Sequence, residues 1–440
     1  MAWARWLGVT VALFAPVACS WWRFDEIETD TPVVLLDAPA RLSGGFGSVL
    51  AATTLGPRTQ LLVGGGGPSA GAAVFDLSSR KAPTTDAVGT DYCDPQAPCW
   101  LSASPAGLPL GHSGAESPAL CFAVGLGRAS NDATGVVVRC EQRFSYALAV
   151  PPEVDSDVVQ PALAGAAPPV SVMAADGAER PALLVALPER EQAWFYAPDS
   201  LEPVPLAAPA PEPSFGRAAA VLSDGSTRVF ALAAPDAGRV HLFRGVDGGA
   251  VPLGCIAGPP GFGRALAAGP ATGDGADDLA VATLDAVHVF DGAELFGLPA
   301  ATDGECRIDA AAAPIVLGCR PGGHVGSCER ANFGAAVALG DLDGDGDGEA
   351  LVGAPQIEAR GNAGAGAVFV FDLEGDAVDQ PTDVEFVASD ESSTFLGTSL
   401  LAARVENSAV VVAGMPGAGA AAVFYCSRLL SGQDRGLRCD

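Results

Sequence analysis

Lysine is almost missing from this 440-residue chain. Lys81 is the only one, and Lys and Arg together number 24 against 52 Asp and Glu. The resulting formal charge of −28 excludes the basic surface that phosphate backbones demand, and with it nucleic acid as a partner. Histidine is scarce as well: only His112, His241, His288 and His324 occur. His241 and His288 fall in the matching patterns V-H-L-F and V-H-V-F, so a structural repeat accounts for them better than a ligand role does. No H-E-x-x-H, C-x-x-C or G-x-x-x-x-G-K-[ST] motif is present. Gly111-His112-Ser113-Gly114 has the first half of a nucleophile elbow, but Ala115 breaks it and no strand-to-helix context surrounds it. Gly64 to Gly67 follow a strand pattern without a helix behind them, and read as a turn rather than a phosphate cradle. After residue 19 no apolar run reaches the ~20 residues that a membrane helix needs.

What the chain has instead is glycine (55) and proline (35), separated by short apolar runs. That pattern spells many short strands and tight turns, so the expected fold class is all-β. The first 19 residues stand apart. MAWARWLGVTVALFAPVAC has one early positive charge, a short apolar run and small residues before a cysteine, the layout of an export signal over residues 1–18. Pro16-Val17-Ala18-Cys19 is similar to a bacterial lipobox, in which the cysteine becomes the lipid-modified first residue, although Pro16 stands where Leu is usual. Cys19 is therefore expected to carry a lipid anchor at an outer membrane or cell surface, with a periplasmic or secreted protein as the alternative. Residues 19–32 form the anchor segment and linker; Trp21, Trp22 and Phe24 there suit a membrane interface or packing on the domain.

The densest chemical signal is Asn332 to Pro355, NFGAAVALGDLDGDGDGEALVGAP. Asp341, Asp343 and Asp345 occupy positions 1, 3 and 5 of a tight loop, Gly346 gives the turn at position 6, Asp347 offers a carbonyl at 7, and Glu349 stands at 9. Alternating carboxylates around a glycine turn converge hard oxygens on one point, which suits Ca²⁺. An EF-hand would need a glutamate at position 12, where Val352 stands, and helices on both sides. Here both flanks, AAVAL and ALVGA, are strand-like.

Asn332-Phe333-Gly334, the Asp loop and Leu351-Val352-Gly353-Ala354-Pro355 together resemble an FG-GAP repeat, the blade unit of the integrin α-type β-propeller. The resemblance implies a loop that binds calcium between the first two strands of a blade; that loop usually ends in Asp, and Glu349 takes its place here. Further units follow the pattern. Phe262-Gly263 opens one whose loop is degenerate, with Pro270 and Thr272 at positions 1 and 3 and Asp274 and Asp278 at 5 and 9. Phe215-Gly216 and Phe46-Gly47 open units without an acidic loop, and Phe395-Leu396-Gly397 opens another. Two vaguer units begin near 111 and 169. The sum is a seven-bladed propeller of four-stranded blades over 33–426, with Val33 to Leu36 expected to close the ring by pairing with the third strand of the last blade, Ala420 to Tyr425.

Removing Cys19 leaves ten cysteines, an even number suited to disulfides in an oxidising compartment. Proximity pairs Cys93 with Cys99, Cys121 with Cys140, Cys319 with Cys328, and Cys426 with Cys439, which ties the tail 427–440; Cys255 and Cys306 are left for each other. By resemblance the function is binding or adhesion toward a protein or glycan, with calcium as a structural ion and no catalysis. Two alternatives stay open: a structural envelope scaffold, and a propeller hydrolase or lyase with a site in the central channel.

Overall fold

The computed structural model describes residues 34–39, 45–55, 58–65, 71–77, 84–86, 99–101, 106–110, 119–128, 135–140, 145–149, 170–174, 182–196, 203–246, 249–301, 305–321, 325–342, 344, 346–373, 384–387, 392–405, 408–428 and 437–439. The export signal, Cys19, Cys93, His112 and His324 lie outside this set, as do Asp343 and Asp345. Among the described residues the structure is nearly all β, with strands grouped in seven sheets of four or five strands. The described helical pieces are short, the longest of them being Gly292–Phe296.

Each sheet is built largely from consecutive strands. The sixth shows the plan: Val337–Gly340, Glu349–Ala354, Ala367–Asp372 and Val384–Val387 pair antiparallel in chain order. Second strands such as Glu349–Ala354 and Asp278–Ala282 are buried along their whole length. They are continuous apolar runs rather than alternating ones because sheets cover both of their faces. The first strands, including Ala219–Ser223, Leu266–Gly269, Val337–Gly340 and Leu400–Val405, are rich in alanine and more exposed. They touch one another in chain order from sheet to sheet, and the first strand of the seventh sheet returns to Phe46–Leu55 of the first. Small side chains permit that crowding.

The N-terminal strand Val34–Asp37 pairs antiparallel with Ala420–Arg428, setting Val34 opposite Val423 and Asp37 opposite Ala420. The two ends of the chain thus share one sheet, as the ring-closure expectation required. The second sheet departs from expectation. Its first strand is Ala106–Leu110, ahead of the anticipated start near 111, and Cys99–Leu101 pairs farther along Ala119–Arg128. The Ala-Gly-Leu-Pro-Leu composition of that first strand hid it, since Gly and Pro weaken a strand signal.

A repeated backbone device locks neighbouring sheets. In five units a residue with positive φ precedes a buried apolar side chain and then a glycine with positive φ: Gly45-Phe46-Gly47, Ser214-Phe215-Gly216, Gly261-Phe262-Gly263, Asn332-Phe333-Gly334 and Phe395-Leu396-Gly397. Leu396, 1 % exposed, fills the place that phenylalanine takes elsewhere, and Phe395 takes the left-handed position ahead of it. In four of these units the glycine N–H donates to its own second strand, as Gly263 does to Ala282 O at 2.9 Å and Gly334 to Gly353 O at 3.0 Å. The same glycine faces the equivalent residue of the preceding sheet: a Cβ on Gly263 would lie 2.7 Å from Ala233 Cβ, and one on Gly334 3.1 Å from Ala282 Cβ. Only glycine fits both the backbone angle and the gap.

Among the described side chains two disulfides are formed, Cys255–Cys306 and Cys319–Cys328. The first pins Cys306–Asp309 as a parallel fifth strand on the outer edge of the fourth sheet, beside Gly249–Ala257. Strand register also sets Cys121 opposite Cys140 and Cys426 opposite Cys439.

Candidate functional site

The acidic loop joins Val337–Gly340 to Glu349–Ala354, so it connects two strands as its flanks predicted. Gly344 and Gly346 have φ of +82° and +103°, backbone angles that favour glycine. Asp341 Oδ1 accepts the Gly344 N–H at 2.5 Å. Glu349, only 6 % exposed, turns inward, and its Oε2 accepts the Leu342 N–H at 2.6 Å. Position 9 thereby closes the loop onto position 2, a task that sequence reasoning had not given it. The missed signal lay in the preceding repeat, where Asp278 at the same position accepts the Ala271 N–H at 2.8 Å.

That second loop, Pro270–Asp278, shows the same closure without the acidic array. Asp278 is fully buried and also accepts the Thr272 and Gly292 N–H groups at 2.8 and 2.7 Å and the Thr272 hydroxyl at 3.2 Å. Burial pushes its carboxyl above the ordinary aspartate value, against the pull of these donors. Asp277 is raised too, first by burial and then by the charge of Asp278, while its Oδ2 accepts the Ser223 N–H of the preceding sheet at 2.9 Å. Asp274 stays exposed and accepts only the Ala276 N–H among its described bonds.

These loops form a belt. Ser223 of the fourth sheet is bonded to Asp277 of the fifth. Gly273 and Pro270 of the fifth lie so close to Asp347 and Gly348 of the sixth that a Cβ on either glycine would collide. Asp341 of the sixth meets Arg404 of the seventh, Oδ2 to Nη1, at 3.3 Å. Arg404 O in turn accepts the hydroxyl of Thr59 in the first sheet at 3.3 Å.

A hard cation suits the donor set by its chemistry, since every side chain at positions 1, 3, 5, 7 and 9 is a carboxylate and a guanidinium already stands beside the first of them. Among the described residues, which exclude Asp343 and Asp345, no three His, Cys, Asp or Glu side chains gather closely enough to hold a metal. The residues that would hold the ion are Asp341, Asp343, Asp345, Asp347 and Glu349, with one oxygen of Glu349 already committed to Leu342.

A second polar cluster lies at the other end of the fourth sheet. Glu212, buried, accepts from Arg239 Nη1 at 2.5 Å and lies 2.7 Å from His241 Nε2. Burial raises the Glu212 carboxyl, but the hydrogen bonds and charges of His241 and Arg239 outweigh it and hold the group below its ordinary value. His241 packs edge-on against Phe215, with ring centroids 5.4 Å apart. His288 does the same with Phe262 at 5.8 Å, and its Nδ1 lies 3.1 Å from Ala310 O. Both histidines hold core-facing places, as the repeat reading implied. An open pocket of about 370 Å³ lies between the Leu284–Asp285 turn and the segment from Cys319 to Phe333; Leu284, 65 % exposed, stands at its side.

Residues 333–371 match the FG-GAP repeat. The match spans the acidic loop and the first three strands of the sixth sheet. No curated relative matches the sequence. Among solved structures the chain is similar to Hsv2 of Kluyveromyces lactis, at 10 % identity and a TM-score of 0.45 over 90 % of this chain and 98 % of that one. A second Hsv2 structure from that organism, with loop 6CD complete, gives 11 % identity and a TM-score of 0.46 over 90 % and 98 %. With its sheet topology and its FG-GAP repeat, the chain is a β-propeller. Among the described residues no helix is long and apolar enough to cross a membrane.

Proposed function

We propose that this β-propeller is a seven-bladed, integrin α-like module, exported and lipid-anchored through Cys19, that binds a protein or glycan at the cell surface and uses Ca²⁺ as a structural ion without catalysis. The observation that carries this reading is the FG-GAP match lying on the one sheet whose first loop alternates carboxylates with Leu and Gly from Asp341 to Glu349. Seven sheets whose first strands touch in a cycle support the blade number. Calcium would tie Asp341, Asp343, Asp345, Asp347 and Glu349 together and stabilise the folded chain by binding it and not the unfolded one. Its place between the fifth and seventh sheets makes the loop a joint, so ordering it stiffens that side of the ring.

The test is thermal unfolding of residues 20–440 with Ca²⁺ and with chelator, on the wild type and on Asp343→Ala/Asp345→Ala. At a hundred times the dissociation constant, calcium stabilises the wild type by about 2.7 kcal/mol and leaves the double variant unchanged. An equal response, or none, from both proteins removes the ion from the reading. A screen of the same protein against glycans and surface proteins tests the binding role, and a propeller that captures nothing across both panels is a scaffold instead.

A further inference from the structure

We propose that Arg404 is a built-in cation for the acidic loop: it holds Asp341 in the metal-free protein, and calcium has to displace it. The inference rests on the calcium reading above and adds a residue from another sheet to it.

Three observations point this way. Asp341 has both carboxylate oxygens engaged, Oδ1 with the Gly344 N–H and Oδ2 with Arg404 Nη1. The guanidinium comes from outside the loop, from the strand Leu400–Val405 of the seventh sheet. Room for it is made by the loop itself, because a Cβ on Gly344 would stand 2.7 Å from Arg404 Nη2. Five carboxylates over nine residues repel one another, and a fixed positive charge relieves part of that repulsion. A guanidinium stays charged at every accessible pH. A calcium ion held by Asp341 would therefore lie a few ångströms from a like charge, and the two cations compete for one carboxylate. Arg404 is free to yield: its side chain is 53 % exposed, while its backbone is held by pairing with Ala409 and by the hydroxyl of Thr59.

Two consequences follow. Arg404 weakens calcium binding, and it supports the loop when calcium is absent. The experiment is calorimetric titration of the full chain with calcium chloride, comparing wild type with Arg404→Gln, alongside melting curves in chelator. The variant should bind calcium about 1.5- to 5-fold more tightly, the range set by an exposed ion pair, and should melt lower than wild type in chelator. Raising the salt should shrink the difference, since an exposed pair is screened. Equal or weaker binding by the variant overturns the role of Arg404 while leaving the calcium reading in place. Absence of binding in both proteins overturns both. If Arg404→Gln fails to fold, Arg404→Lys replaces it; a compact ammonium cannot match the planar fork, so tighter binding by a smaller factor is expected and unchanged affinity is fatal to the proposal.

Discussion

The loops Pro270–Asp278 and Asp341–Glu349 join the same pair of strands in neighbouring sheets, and both are closed by the carboxylate at their ninth position. They differ in what fills the space inside. In the first, a short Asp278 is fully buried and takes three backbone amides and a hydroxyl, so the protein supplies every donor. In the second, a longer Glu349 reaches one described amide, and the sequence has carboxylates at positions 1, 3, 5 and 7 as well. Under the proposed calcium reading, a repeat keeps its closure while hydrogen bonds in one loop take the place of an ion in the other. Thr272, where the other loop has Asp343, marks the exchange: its hydroxyl turns to Asp278.

Breaking the closure where the protein supplies all donors should have the largest effect. Asp278→Ala strands the amides of Ala271, Thr272 and Gly292, the first and last of them in buried bonds, and a loss of about 3 kcal/mol is expected. Urea unfolding should return that loss unchanged with calcium or with chelator. A calcium-dependent loss would mean that this loop, too, holds an ion.

Glu212→Gln, at the opposite end of the fourth sheet, should cost about 2 kcal/mol at neutral pH, because it removes the charge that His241 and Arg239 face. Its pH dependence has a definite sign. A carboxyl held below its ordinary value contributes stability above about pH 4 and loses it as the pH falls through the lowered value. The gap between variant and wild type should close as the pH falls below about 4 through the lowered value. A gap that widens in acid would refute this assignment.

Glu349→Gln keeps an acceptor for Leu342 but removes one negative charge from the loop. It should cost about 1 kcal/mol in the presence of calcium and close to nothing in chelator, measured by melting. Equal costs in both conditions would assign Glu349 to closure alone. The smallest effect sharpens the comparison from the other side. Giving the first loop the missing carboxylates, Pro270→Asp with Thr272→Asp, should create a calcium response of under about 1 kcal/mol. The response stays small because Asp278 is already saturated with amides.

The motifs Phe333-Gly334, Phe262-Gly263 and Phe215-Gly216 were legible because each carries a large apolar side chain and a glycine at fixed spacing before an apolar strand. Leu396 was masked by Phe395 beside it, since a pattern of residue types does not say which of two apolar neighbours turns inward. Ala106–Leu110 was hidden by its glycine and proline. Cys319 and Cys328 were paired by proximity; Cys255 and Cys306 were paired by remainder, 51 residues apart, and the fold explains them as a staple on the outer edge of the fourth sheet.

Composition, turn residues and repeat spacing are local properties, and they were enough to determine an all-β chain of repeats with one carboxylate-rich loop and a strand from each end destined for one sheet. Arg404 beside Asp341, Gly348 against Pro270, and Glu212 beneath His241 join residues between 29 and 78 positions apart. Only the tertiary structure decided those contacts, because packing one sheet on the next brings together loops whose sequences carry no mark of each other.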